Sequence, residues 1–235
     1  MPELGGPSTQ SGVNYQNSVT AEFLFKLMLA EDDIESVQVE APEACDDIVV
    51  FRKNSPTIYI EVKESPTRGT WTATKLDKEK FWENAKNQIE SNKNAIVWLV
   101  TSTAAVELKE LTDRVRRAEN KAAFNRLISD IEYLNKEYIK IKQYWQLNEE
   151  DTTKLLSHIY IQESYGSTEA IENRVRGRIK EIQGKNVFSL LRDFVSKEAG
   201  NRKKIDRNAI LQELKKVGII NYKTSTVRLV LQGID

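Results

Sequence analysis

The sequence predicts an α/β fold: a mixed sheet flanked by helices, followed by an all-α module. Three observations carry this. Short β-branched segments at residues 36–40, 46–53 and 57–64 lie between helical patterns. A nearly all-apolar run, NAIVWLVTS at 94–102, has the texture of a strand buried on both faces. Beyond about residue 120 the apolar spacing is helical throughout. A sheet covered on both faces is the way to bury such an order of elements.

Each element has its own local reason. Residues 1–12 are rich in Gly, Pro and Ser and read as a loose arm. From 14 to about 30, Val19, Phe23, Leu24, Leu27 and Met28 recur at three and four, the face of a helix. Asn54-Ser55-Pro56 is a turn between two strands, which makes 46–53 and 57–64 an expected antiparallel hairpin. Residues 65–73 read as an exposed loop, 74–91 as one polar helix, and 106–119 as another. Phe124 through Trp145 traces a continuous helical stripe, and 151–161 reads as a further helix. Ser167 is placed to cap the next helix, Asp206 to cap a short one over 209–217, and Gly218 to stop it. The tail TSTVRLVLQ reads as a small strand. With 206–218 it forms a winged-helix-like unit or a packing element of the bundle. The boundaries are 1–119 for the mixed domain and 120–235 for the helical module.

The chain has 235 residues, 40% hydrophobic and 30% charged, enough apolar side chain for a packed core. Its one cysteine, Cys45, forms no internal disulfide. No apolar run reaches the ~20 residues of a membrane span, and MPELGGPSTQSG is not a secretory signal. A cytoplasmic location is expected. The zero net charge conceals an asymmetry. Residues 1–70 carry 5 Lys/Arg against 12 Asp/Glu, −7, whereas 171–235 carry 15 against 7, +8. An acidic beginning suits a cation site and a basic end a polyanion.

The chemistry-bearing stretch is Asp47, a spacer of thirteen residues, then Glu61-Val62-Lys63. Alternation along a strand puts Glu61 and Lys63 on one face, with Ile58, Ile60 and Val62 on the other. A hairpin would bring the mouth of the first strand, with Asp47, toward the end of the second. Two carboxylates and an ammonium meeting at one point suit a divalent cation that activates water and polarises a phosphoryl oxygen, with the lysine stabilising charge at phosphorus. Asp46 is an alternative to Asp47, and Glu22 and Glu40 are weaker acidic candidates. Taken alone, E-x-K is also a common surface charge pair. His158, on the predicted 151–161 helix, reads as structural, and Cys45 needs no role. No G-x-x-x-x-G-K-[ST] loop and no G-x-S-x-G elbow is present, which argues against ATP hydrolysis and serine hydrolase chemistry.

GVNYQNSVTAEFLFKLML at 12–29, VEAPEACDDIVV, IYIEVK and VWLVTS, in that order, resemble the PD-(D/E)XK nuclease superfamily. They resemble most the N-terminal effector nuclease domains of bacterial antiphage proteins, the CBASS effectors and Avs-type STAND proteins. The resemblance implies a restriction-endonuclease-like fold and a Mg²⁺-dependent (or Mn²⁺-dependent) endonuclease that cuts double-stranded DNA with little sequence preference. It implies Asp47 and Glu61 as metal ligands, Lys63 as the catalytic lysine and Gln16 as the polar contribution of the first helix. The branch often has Gln where Glu61 stands. It further implies activation through homo-oligomers and a sensor or NTPase module in a longer protein. Arg68, Thr67 and Thr70 in the following loop, with Lys75, Lys78 and Lys80, are the expected phosphate contacts. The competing reading is a non-catalytic module of nuclease-like fold that binds nucleic acid or a partner.

Overall fold

The computed structural model describes residues 7–40, 47–65, 69–178 and 187–218. In chain order its elements are α1 (Pro7–Met28), β1 (Ile34–Val39), β2 (Ile48–Arg52), β3 (Ile58–Lys63), α2 (Ala73–Lys78), α3 (Phe81–Ser91), β4 (Ile96–Thr101), α4 (Val106–Arg117), α5 (Lys121–Ile128), α6 (Glu132–Trp145), α7 (Glu149–Leu156), β5 (Ile159–Gln162), α8 (Thr168–Arg176), α9 (Val187–Glu198), β6 (Lys204–Asp206) and α10 (Arg207–Lys216). Six strands, some paired parallel and some antiparallel, stand among helices, the expected mixed α/β fold. They fall into two compact units. One takes the described parts of 1–41, 47–55 and 166–218, the other those of 56–165.

In the first unit β1 pairs antiparallel with β2 on one side (Val37 opposite Val50) and with β6 on the other (Val37 opposite Ile205). The helix α1 buries Val19, Phe23, Leu24, Leu27 and Met28, the stripe read from the sequence, and also Tyr15, Ala21 and Phe25. It is buried on several sides because β1, α8, α9 and α10 all pack against it. One buried charge is matched across helices: Arg174 of α8 donates to both oxygens of Glu22 on α1, at 3.2 and 2.9 Å. The Asp33 carboxylate accepts from the Asn54 backbone at 2.7 Å and anchors the turn after β2. Ser167 caps α8 and Asp206 caps α10, each accepting from the backbone N–H three residues on. Gly218 takes the left-handed conformation (φ 72°) expected of a helix stop. The predicted strand in the tail lies outside the described residues.

In the second unit β3, β4 and β5 are parallel, with Glu61, Leu99 and Ile161 in register. Two helices expected as continuous are broken. Residues 74–91 form α2 and α3, separated at Lys80 in the left-handed region (φ 59°). The intervening Asp77-Lys78-Glu79-Lys80 offers no apolar side chain to hold a continuous helix. The break lets both Phe81 and Trp82 bury fully, with Trp82 Nε1 donating to the Ala73 carbonyl at 2.9 Å. The 124–145 stripe likewise divides after Ile128 into α5 and α6.

The predicted helix over 151–161 is corrected. It ends at Leu156, and Ile159–Gln162 is a strand parallel to β4. Ile159 and Ile161 are buried and alternate with half-buried Tyr160 and Gln162, a period of two within a run too short to stand out. His158 therefore sits in the turn before β5, where its Nδ1 lies 2.9 Å from the Ala95 carbonyl. Among the described residues no helix is long and apolar enough to cross a membrane.

Candidate ligand-binding site

Parallel strands bring their C-terminal ends to one edge, and in open α/β sheets ligands lodge outside that edge. In the second unit this edge is built from three loops. The Lys63 carbonyl accepts from Ser102 N at 3.2 Å, and Ser65 N donates to Ser102 Oγ at 3.2 Å. Trp71 N donates to the Ala104 carbonyl at 2.8 Å. Tyr165 N and Ser164 N, just past β5, donate to the carbonyls of Thr101 and Thr103 at 2.9 and 3.1 Å. The loops carrying Ser102, Thr103 and Ser164 are thus tied together by main-chain hydrogen bonds past the strand ends. Two buried polar atoms here, Trp71 Nε1 and Thr103 Oγ1, have no hydrogen-bond partner among the described residues.

Glu61 and Lys63 share one face of β3, as alternation requires. Glu61 is buried, and its Oε1 lies 2.8 Å from Lys63 Nζ. The same ammonium stands 3.8 Å from Glu79 Oε2. This second contact ties the end of β3 to the α2–α3 junction, where Lys75, Lys78 and Lys80 are exposed. Lys75 Nζ donates to the Thr70 carbonyl at 2.7 Å, so its head is held beside the loop rather than loose in solvent. α2 itself is fixed from below: Glu137 of α6, buried, accepts from Ala73 N at 2.5 Å and lies 2.6 Å from Lys140 Nζ. The edge therefore carries a buried carboxylate paired with an ammonium, two serines in the loops and a lip of exposed lysines.

In the first unit Asp47 stands half-buried at the mouth of β2. Gln16 Nε2 of α1 donates to its backbone carbonyl at 3.3 Å, and Glu40 N donates to the same oxygen at 3.1 Å. The first helix does bring Gln16 to Asp47, through the main chain. Glu22 is committed to Arg174 and Glu40 is exposed. Asp46, Cys45, Thr67 and Arg68 lie outside the described residues. No group of three or more His, Cys, Asp or Glu side chains that could hold a metal gathers among the described residues.

Sequence reasoning missed Glu79 as the second partner of Lys63, and missed the hydroxyl loop. The signal for the loop was available: Thr101-Ser102-Thr103 follows directly on an apolar run.

No family model matches the chain, and no curated protein matches it. Solved structures do share its fold. A Moraxella osloensis Cap4 SAVED/CARF-domain containing receptor aligns over 93% of this chain and 49% of its own, at 18% identity and a TM-score of 0.51. The Acinetobacter baumannii Cap4 SAVED/CARF-domain containing receptor, solved with the cyclic trinucleotide 2'3'3'-cAAA, aligns over 87% and 45%, with the same identity and TM-score. The same Acinetobacter receptor with 3'3'3'-cAAA aligns over 92% and 53%, at 15% identity and a TM-score of 0.50. The chain spans about half the length of these relatives.

The expected activity, a Mg²⁺-dependent DNA endonuclease, is corrected on this finding. The structures that share the fold are receptors, two of them solved with a cyclic trinucleotide. The Lys63 ammonium is shared by the Glu61 and Glu79 carboxylates, one positive charge against two negative. At this level of identity the likeness establishes the fold, an α/β scaffold common to this chain and the Cap4 receptors.

Proposed function

We propose that the chain is a non-catalytic binding module of an antiphage-defence receptor, and that it holds an oligonucleotide at the C-terminal edge of β3–β5. The observation that carries the reading is the alignment of 93% of the chain with a receptor of the SAVED/CARF class. The edge has the features such a ligand needs. Lys75, Lys78 and Lys80 supply sequence-independent phosphate contacts. Ser102 and Ser164 supply donors and acceptors for ribose and base edges. Oligonucleotide replaces double-stranded DNA as the partner, because the relatives' ligands are cyclic trinucleotides. A longer protein carrying a further sensor part, and self-association on activation, belong to the same proposal.

A divalent ion also belongs to it. Glu61 would hold Mg²⁺ or Mn²⁺, and the ion would compete with Lys63 for the carboxylate. The ion, when bound, supplies positive charge to ligand phosphates. Fluorescence anisotropy with a labelled short oligoadenylate and competition by 3'3'3'-cAAA tests the reading, with and without Mg²⁺. Saturable binding that weakens severalfold in the Lys75→Met/Lys78→Met double variant, and on chelation of Mg²⁺, is expected. Binding unchanged by that double variant would refute the site. No binding of either ligand would refute the function.

A further inference from the structure

The opposite end of the same parallel strands carries a second recess. Ala95 precedes β4 and His158 precedes β5, so the two stand at the strands' N-terminal starts, away from Lys63 at the C-terminal end of β3. A groove of about 350 Å³ opens there, floored by Ile89, Leu147 and Leu155. His158 lines it, and the charged groups facing it are Glu90, Lys93, Asp151 and Lys154.

The imidazole is chemically defined by its one internal contact. The Ala95 carbonyl can only accept, so the His158 nitrogen 2.9 Å from it, Nδ1, carries the proton. The neutral ring therefore keeps Nε2 as an acceptor. Lys93 and Lys154 are exposed, and neither forms an ion pair among the described residues. Asp151 accepts from Asn148 Nδ2 at 2.7 Å, which fixes its carboxylate on the rim.

We propose that this groove is a binding site for a nucleoside monophosphate. An apolar floor accepts the face of a heterocycle, and an acceptor nitrogen takes an exocyclic N–H. Two unpaired ammonium groups take a phosphate, and rim carboxylates take ribose hydroxyls. The volume lies at the small end for ligand sites, which suits a mononucleotide and excludes a longer oligonucleotide lying wholly inside it.

His158 is the only histidine in the chain, so a long-range ¹H–¹⁵N spectrum of untagged protein reports one imidazole. The neutral ring should show the Nδ1–H tautomer. Titration with AMP should shift the Nε2 resonance saturably. Adenosine or inorganic phosphate alone should bind at least tenfold more weakly. Lys154→Met, an exposed change, should weaken AMP at least fivefold, and His158→Phe at least tenfold. Lys136→Met should leave AMP affinity within twofold, because Lys136 does not line the groove. An Nε2–H tautomer, a non-saturating shift, or a Lys154→Met protein that binds AMP as tightly as wild type would overturn the proposal.

Discussion

Replacing Lys63 by Met isolates the chemistry at the end of β3. The ammonium lies 2.8 Å from Glu61 Oε1, a carboxylate whose side chain is 8% exposed. At an effective dielectric of about 20 the gross attraction is about 6 kcal/mol. Desolvation of the two charges offsets much of it. The net cost of deleting one partner of a fully buried pair is about 3–5 kcal/mol, because the other charge is left stranded. Lys63 is 21% exposed, so water reaches the pair and the cost falls below that range, to about 2 kcal/mol. For a chain of this size that corresponds to a fall in Tm of roughly 4–8 °C. If the stranded carboxylate is the cause, Glu61→Gln in the same background should recover at least about 1 kcal/mol, since both charges are then gone. Denaturant unfolding of the wild type, both single variants and the double variant supplies the cycle. A Lys63→Met cost below about 0.5 kcal/mol, in the range of ordinary surface changes, would refute the reasoning. So would a double variant no more stable than Lys63→Met.

Other consequences follow from the same logic. Arg174→Met strands Glu22, 12% exposed, and should cost about 1–2 kcal/mol by urea unfolding, with most of the loss recovered in Glu22→Gln/Arg174→Met. Glu137→Ala removes the acceptor for Ala73 N–H at the start of α2. It should cost about 1–3 kcal/mol and shift tryptophan fluorescence, because Trp82 Nε1 donates to the Ala73 carbonyl. The Glu110 carboxylate is held below its ordinary value of 4.5 first by the hydrogen bond from Arg114 and then by that from the Tyr133 hydroxyl. A depressed folded-state value contributes stability that is present above 4.5 and lost as pH falls through the folded value. Glu110→Gln should therefore destabilise slightly at neutral pH, by under about 1 kcal/mol at so open a position. The gap from wild type should close in thermal melts run below that pH.

Much of the first half was legible because its signals are local. The α1 stripe, the alternation that puts Glu61 beside Lys63, and the apolar β4 run each follow from a period within a few residues. The caps at Ser167 and Asp206 follow from side-chain chemistry at one position. The misreadings needed information from elsewhere in the chain. The break at Lys80 is decided by where Trp82 and Ala73 can meet, and that depends on α6 packing behind them. β5 is a strand because β4 offers it an edge, a fact absent from the four residues IYIQ. β6, three residues long, was invisible for the same reason, since only pairing with β1 defines it. At the candidate site, Glu61 and Lys63 were legible and Glu79 was not. Its approach to Lys63 depends on the turn between α2 and α3.

The central claim, an edge that holds an oligonucleotide and leaves it whole, is tested most directly by recovering the ligand. A labelled oligonucleotide, single- or double-stranded, is incubated with saturating protein and Mg²⁺ and then run on a denaturing gel. Full-length ligand at every time point is predicted, for wild type and for Lys63→Met alike. Fragments that accumulate with wild type and vanish with Lys63→Met would contradict the account and return Glu61 and Lys63 to hydrolytic roles.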